Sequence, residues 1–250
     1  MKNTARQHLL ITRFSWPHSH WDNKSEQEYE SWLQKRLDLF AEYTLNSLKN
    51  CYVKPTSWLI LINDNHNEKF LTSLQALIDT YNGEVHLIPY SNLNLADTTK
   101  DFSKRFIYPC EVLTTNLDAD DLISSDFFAH FASLEFDNNK IKEGIGISYP
   151  GGSNYVPDTR KFYLSTYPDN PFLTYAELVI SSVQLLTVFF KMHTELFNFA
   201  PNALYLRSYY PMWSSVIHGG NLANNSLLET NRIELGNEDE IRKRFGIYQY

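Results

Sequence analysis

Val112-Leu113-Thr114-Thr115-Asn116-Leu117-Asp118-Ala119-Asp120-Asp121 is the stretch on which the reading of this chain turns. It is a short apolar and β-branched run ending in three carboxylates within four positions. Side chains of the first kind favour a buried strand. A buried, unpaired carboxylate is costly and tends to take up a proton. A divalent cation reconciles the two, because Mg²⁺ or Mn²⁺ takes one or two carboxylates together with phosphate oxygens. The carboxyl end of a strand in an open α/β sheet is also where ligands bind. The stretch therefore predicts a metal–diphosphate site at Asp118 and Asp120. The competing reading is an exposed turn in which Asp121 caps a helix over Leu122 to Phe128. An EF-hand is excluded, since its sixth position requires glycine and its twelfth glutamate, and counting from Asp118 finds Ile123 and Ala129 there.

Upstream, the pattern is strand–helix–strand–helix–strand. His8 to Phe14 reads as a buried first strand with Arg13 at its end. Ser25 and Glu28 have capping-box spacing, and the helix they open carries Tyr29, Trp32, Leu33, Leu37, Phe40 and Tyr43 at helical intervals. Trp58 to Asp64 is a second buried strand, again ending in an acid. Phe70 to Tyr81 reads as a helix stopped by Asn82-Gly83, and Glu84 to Pro89 as a third strand. That alternation is the mark of a parallel, Rossmann-like sheet with crossover helices. No glycine-rich dinucleotide loop follows the first strand and no Walker A loop occurs anywhere.

Downstream, the signals are weaker. Phe127 to Leu134 continues a helix, Gly144 to Tyr149 reads as a strand, and Pro150-Gly151-Gly152 as a turn. Lys161 to Thr166 and Thr187 to Phe190 read as strands, the second ending at His193, with a loop at Tyr167 to Pro171 between them. In Pro211 to Asn221, His218 closes an apolar run beside two glycines that let backbone approach a ligand. The tail from Glu234 to Tyr250, with Arg242-Lys243-Arg244, reads as a solvated helix or a membrane-surface patch. No repeat or linker appears, so a single domain over residues 1–250 is expected, with a nucleotide-binding half (1–121) and an acceptor-binding half (122–250).

Composition narrows the function classes. Hydrophobic residues make up 43% and charged residues 20% of the 250, as in ordinary globular proteins. Aromatics reach 15%, enough for a large core and a ring-lined cleft. A net charge of −7 disfavours nucleic acid as a partner. Cys51 and Cys110 have no metal-ligand spacing and form no disulfide framework, which points to a reducing, cytoplasmic compartment. The N-terminus lacks a signal-peptide pattern. The longest apolar run, Leu178 to Phe190, falls short of the ~20 residues that span a bilayer. The expectation is a protein that is not transmembrane, with at most peripheral membrane contact.

Strand ends bearing Arg13, Asp64 and an Asp-x-Asp suit a nucleotide-sugar enzyme. The sequence resembles the bacterial rhamnosyltransferases, glycosyltransferases of GT-A type. The resemblance rests on Leu10-Ile11-Thr12-Arg13-Phe14, Trp58-Leu59-Ile60 before Asp64, and Asp118-Ala119-Asp120-Asp121. It continues through Thr187-Val188-Phe189 before His193, and Pro211-Met212-Trp213 through His218-Gly219-Gly220-Asn221. Asn116 departs from it, standing where a basic residue often precedes the aspartates. The resemblance implies a GT-A-type, mostly parallel central sheet flanked by helices. It also implies a dTDP- or UDP-sugar donor and a glycan or lipid-linked saccharide acceptor in surface polysaccharide synthesis. In that setting Asp64 would accept from the base's imide N–H, and Arg13 would pair with phosphate. Asp118 would meet the ribose or the metal, Asp120 the metal directly, and His218 would complete the metal or pyrophosphate site. Transfer with inversion needs a base near the acceptor hydroxyl. Glu177 is the first candidate, with His193 and Asp169 as alternatives. Trp213 and Tyr175 are candidates to stack on a sugar face. A sugar-1-phosphate nucleotidyltransferase is the second enzymatic reading, although Phe14-Ser15-Trp16-Pro17 lacks the glycine-rich basic loop of that class. A carbohydrate-binding protein without activity is the third.

Overall fold

Four of the apolar runs pair in parallel at the centre of the computed structural model, which describes residues 5–15, 25–63, 66–90, 99, 101–219 and 233–248. They are β1 (Ala5–Arg13), β2 (Ser57–Asn63), β3 (Val85–Tyr90) and β4 (Cys110–Asn116). The sheet continues through β6 (Ile145–Ser148), β9 (Thr174–Val179) and β10 (Asn202–Tyr205), in the order β10-β6-β9-β4-β1-β2-β3. Only β9 runs against the rest. This is the mostly parallel α/β sheet flanked by helices expected from the sequence.

Central strands are covered on both faces, which is why they read as unbroken apolar runs rather than alternating ones. On one face Leu10, Trp58, Ile60 and Leu113 meet the helices. These are α1 (Glu26–Leu39), α2 (Asn46–Asn50), α3 (Glu68–Ile78) and α4 (Phe127–Ser133). On the other face Leu9, Ile11, Leu59, Leu61 and Val112 pack with Phe102, Val179 and Leu185. The capping box opens α1: Glu28 N–H donates to Ser25 Oγ at 3.3 Å, and Ser25 N–H to the Glu28 carboxylate at 2.8 Å. Asn67 caps α3 by accepting from Phe70 N–H at 2.9 Å. Between α1 and α2 the helix widens into a π-helical turn, Phe40–Leu45.

A second, four-stranded sheet lies beyond the acids: β5 (Leu122–Ile123), β11 (Trp213–Val216), β7 (Gly151–Val156) and β8 (Lys161–Thr166), in that order. Tyr155, Phe162 and Val216 form its core with Ile241 and Phe245, from and just after a later helix, Glu238–Arg244. With α5 (Asn138–Glu143) and α6 (Leu196–Phe199) earlier in the chain, that helix is α7.

The second half of the chain departs from the sequence reading in several places. Thr187 to Phe190 is a 3₁₀ turn rather than a strand. The N–H groups of Thr187 and Val188 are taken by side chains of the main sheet, which overrides β propensity. Asp121 caps no helix: β5 follows it, and α4 begins only at Phe127. Gly151-Gly152 starts a strand instead of making a turn, because Trp213 packs where a side chain at Gly152 would stand. The tail is not a solvated helix, since Ile241, Arg242 and Phe245 are buried. Its basic residues are engaged internally: Arg242 donates to the Arg160 carbonyl and Arg244 pairs with Asp126 at 2.9 Å.

Candidate active site

The register of the sheet brings Arg13 to the first aspartate. Ile11 sits beside Asn116 across β1 and β4, and Leu117 N–H donates to the Ile11 carbonyl at 3.0 Å. Two positions further along each strand, Arg13 Nη2 lies 3.4 Å from Asp118 Oδ1. The Nε of Arg13 is buried without a hydrogen-bond partner among the described residues.

Asp120 turns the other way and meets His218 and Arg36. Its Oδ2 lies 3.0 Å from His218 Nε2 and 3.9 Å from Arg36 Nη1. Burial raises the Asp120 pKa, but the His218 hydrogen bond and the Arg36 and His218 charges outweigh it and hold the carboxyl below its usual range. Arg36 is anchored by an Nε–H bond of 2.6 Å to the Phe14 carbonyl and lies over the Trp32 ring. It was not singled out from the sequence. The available signal was its position, because Leu33, Arg36, Leu37 and Phe40 share one helix face on which a charge needs a partner.

Asp121 explains how His218 arrives. Its buried carboxylate accepts from Val216 N–H at 2.9 Å and so ties β11 of the second sheet to the acidic turn. Desolvation, then the neighbouring charges of Asp120 and Asp118, push its pKa well above the usual range. From the helical side, Thr44 in the π-helical turn donates to the carbonyls of Asp121 at 2.9 Å and Asp118 at 3.3 Å. The turn is thus held by groups from a helix, a strand of each sheet and its own backbone.

Because β9 is antiparallel, its first residues also lie at this edge, where Thr115 faces Thr174. Asn116 donates to the Pro171 carbonyl at 2.7 Å and fixes the loop of residues 167–173 there. On that loop the Asp169 carbonyl accepts from His193 Nδ1–H at 2.6 Å. His193 and Asp169 are therefore neighbours beside the strand that bears the acids.

Glu177 does not join them. It faces Val112, toward the far end of β4, and its carboxylate accepts from the N–H groups of Leu186 at 2.9 Å and Thr187 at 3.2 Å. Trp213 is buried rather than presented to a sugar, being stacked on Phe172 and donating to the Tyr149 carbonyl at 2.7 Å. Tyr175 is likewise buried, against Phe190. Asp64 lies outside the described residues. Near the end of β2, Tyr29 stacks between Trp32 and His66, and Ser15 hydrogen-bonds His66 at 2.6 Å. Burial lowers the His66 pKa to about 4, leaving a neutral imidazole at pH 7.

Asp118, Asp120 and His218 all stand at the edge, but among the described residues no three His, Cys, Asp or Glu side chains converge into a cage for a metal. What the edge provides is two carboxylates on one turn, with Arg13, Arg36 and His218 around them. That suits an ion that takes only one or two protein carboxylates and completes its shell with water and phosphate. No described helix is long and apolar enough to cross a membrane.

No curated protein matches the chain in sequence. Among solved structures, 4-diphosphocytidyl-2C-methyl-D-erythritol synthase from Anaerococcus prevotii is similar at 11% identity, over 82% of this chain and 90% of that one, with a TM-score of 0.39. Residues 1–349 of S. aureus TarS are similar at 13% identity, over 85% of this chain and 60% of that one, with a TM-score of 0.41. The assignment rests on neither. Residues 7–154, more than half of the chain and including β1, β2, β4 and the acidic turn, match one family throughout, and the chain belongs to it: the family described as "Putative rhamnosyl transferase".

Proposed function

We propose that the chain is a metal-dependent glycosyltransferase, moving a sugar (rhamnose, on the family's description) from a dTDP- or UDP-sugar to a glycan or lipid-linked saccharide in surface polysaccharide synthesis. The observation that carries this reading is the gathering of Asp118, Asp120, Arg13, Arg36 and His218 at the carboxyl edge of β4. In this reading residues 1–121 hold the nucleotide, residues 122–250 the acceptor, and the whole works as one domain. A lipid-linked acceptor would bring the protein to the cytoplasmic face of a membrane.

Asp118 and Asp120 would hold Mg²⁺ or Mn²⁺. Such an ion supplies Lewis-acid stabilisation to the departing diphosphate. Arg13 contributes a fork of donors beside Asp118, which suits pairing with a phosphate. His218 and Arg36 hold the Asp120 carboxyl below its usual range, and Arg36 adds positive charge where the leaving group develops its negative charge. The acceptor hydroxyl must lose a proton as it attacks. His193 suits that step, because donation from Nδ1 to the Asp169 carbonyl fixes the tautomer and leaves Nε2 as the basic nitrogen. Asp169 contributes its backbone carbonyl to this arrangement.

The test combines the Asp120→Ala variant with a survey of nucleoside diphosphates. The variant should lose donor turnover while keeping wild-type circular dichroism. With Mn²⁺, UDP or dTDP should stabilise the wild type by the ~2.7 kcal/mol expected at a hundredfold excess over Kd, read as a higher melting temperature, and by less without Mn²⁺. Full turnover by Asp120→Ala, or by the wild type in excess EDTA, would overturn the reading.

A further inference from the structure

We propose that Glu177 is a positioning residue that fixes the turn of residues 186–190 so that Phe189 sets the guanidinium of Arg13 at the carboxylate edge. The inference deepens the glycosyltransferase reading and rests on it for the role of Arg13.

Four consecutive backbone N–H groups in this turn are all taken by side chains. Leu186 and Thr187 donate to Glu177 Oε1 at 2.9 and 3.2 Å. Val188 donates to Thr114 Oγ1 at 2.7 Å, and Phe189 to Thr187 Oγ1 at 3.2 Å. Thr187 has φ 65° and ψ 165°, a region that essentially only glycine enters, so the turn is held against its own backbone preference. The anchors Glu177 and Thr114 belong to β9 and β4, the two strands of the main sheet against which the turn lies. The turn's product is the place of Phe189. The Arg13 guanidinium carbon lies 5.5 Å from the centre of that ring, within cation–π range, while its other side reaches Asp118.

A carboxyl group this deeply buried, with no basic side chain paired to it among the described residues, needs a reason to be there. Two N–H acceptances on one oxygen supply that reason. The surrounding ionisable groups are Tyr108, Cys110 and Tyr175, each pushed upward by burial and so uncharged at pH 7. Glu177 therefore acts as a hydrogen-bond acceptor and touches neither donor nor acceptor substrate. An amide oxygen can do the same work, which a general base could not survive.

The decisive experiment is the NMR signal of the Arg13 Nε–H, assigned by its loss in Arg13→Lys, in the full-length protein. The Phe189 ring current shifts this signal in the wild type. Glu177→Ala should collapse the shift and speed hydrogen exchange at residues 186–188, and Glu177→Gln should restore both. Thr114→Val, which removes the other anchor without changing volume, should move the signal in the same direction even if Glu177→Ala fails to fold. An unmoved Arg13 signal in Thr114→Val and in folded Glu177→Ala would overturn the proposal. So would a loss in Glu177→Gln equal to that in Glu177→Ala. Titration with UDP and dTDP gives a separate readout. Glu177→Ala should weaken binding about tenfold, and should add nothing further in an Arg13→Ala background. If the wild type binds neither nucleotide, the glycosyltransferase reading fails while the NMR arm still decides the role of Glu177.

Discussion

Replacing Glu177 by glutamine should change how stability depends on pH, by an amount that follows from where the carboxyl sits. Burial pushes its pKa from 4.5 up to about 7, with the Leu186 and Thr187 N–H groups pulling partly the other way. Between those two values the unfolded chain has released the proton and the folded chain keeps it. The folded state therefore binds more protons, and stability falls as pH rises through this window. Displacing a pKa by one pH unit is worth about 1.4 kcal/mol, so the loss from pH 4.5 to pH 7 is roughly 3 kcal/mol. The side chain is almost fully buried, so solvent screening does little to reduce this. Glutamine keeps the acceptor oxygen and cannot ionise. The assay is urea denaturation of both proteins from pH 4.5 to 8. With slopes of about 1–3 kcal/mol/M, the midpoint difference between variant and wild type should grow by about 1 M or more across the window. Other groups titrate there too, and taking the difference cancels them. A midpoint difference independent of pH would show that Glu177 is solvated or already ionised, and the reasoning from its burial would be wrong.

Three further outcomes follow from the packing. Thr44→Val removes the hydroxyl that supports the Asp118 and Asp121 carbonyls, and should cost about 1–3 kcal/mol in urea melts and lower turnover, while Thr44→Ser keeps both. Gly152→Ala places a methyl group inside the space of the Trp213 ring and should destabilise by about 1–3 kcal/mol, read as a lower melting temperature. Trp213→Phe strips the Tyr149 carbonyl of its donor and should cost about 1–3 kcal/mol, with the donor KM unchanged because the ring is buried.

The half of the fold that could be read from sequence is the half whose strands are buried on both faces. Leu9 to Ile11, Trp58 to Ile62 and Val112 to Leu113 are continuous apolar runs because helices cover one side and the segments of residues 101–108 and 180–190 the other. The strands missed lack that signature. Thr174–Val179 is broken by Glu177, and Gly151–Val156 opens with two glycines and polar residues, so neither shows a clean period. At the candidate site, the residues the structure brings together, Asp118, Asp120, Arg13 and His218, could be picked out because each is a charged or titratable group ending an apolar run. Glu177 and Trp213 were misread for one shared reason. A polar group within an apolar segment signals a partner, but not whether that partner is a ligand or the protein's own backbone. For Glu177 it is Leu186 and Thr187, and for Trp213 it is Tyr149. Arg36 was missed because helical spacing was counted for apolar residues only.

The widened turn at Phe40–Leu45 carries a cost for any attempt to tidy the helix that contains it. A π-helical turn amounts to one extra residue wound into an α-helix. Deleting a single residue there would let an ordinary helix run from Glu26 to Asn50, with better local geometry and no gap in its ladder. It would also re-aim the residues of the wide turn itself, Thr44 among them. Thr44 would then point away from the two carbonyls it now holds, so the variant that looks more regular would be the one whose acidic turn comes loose.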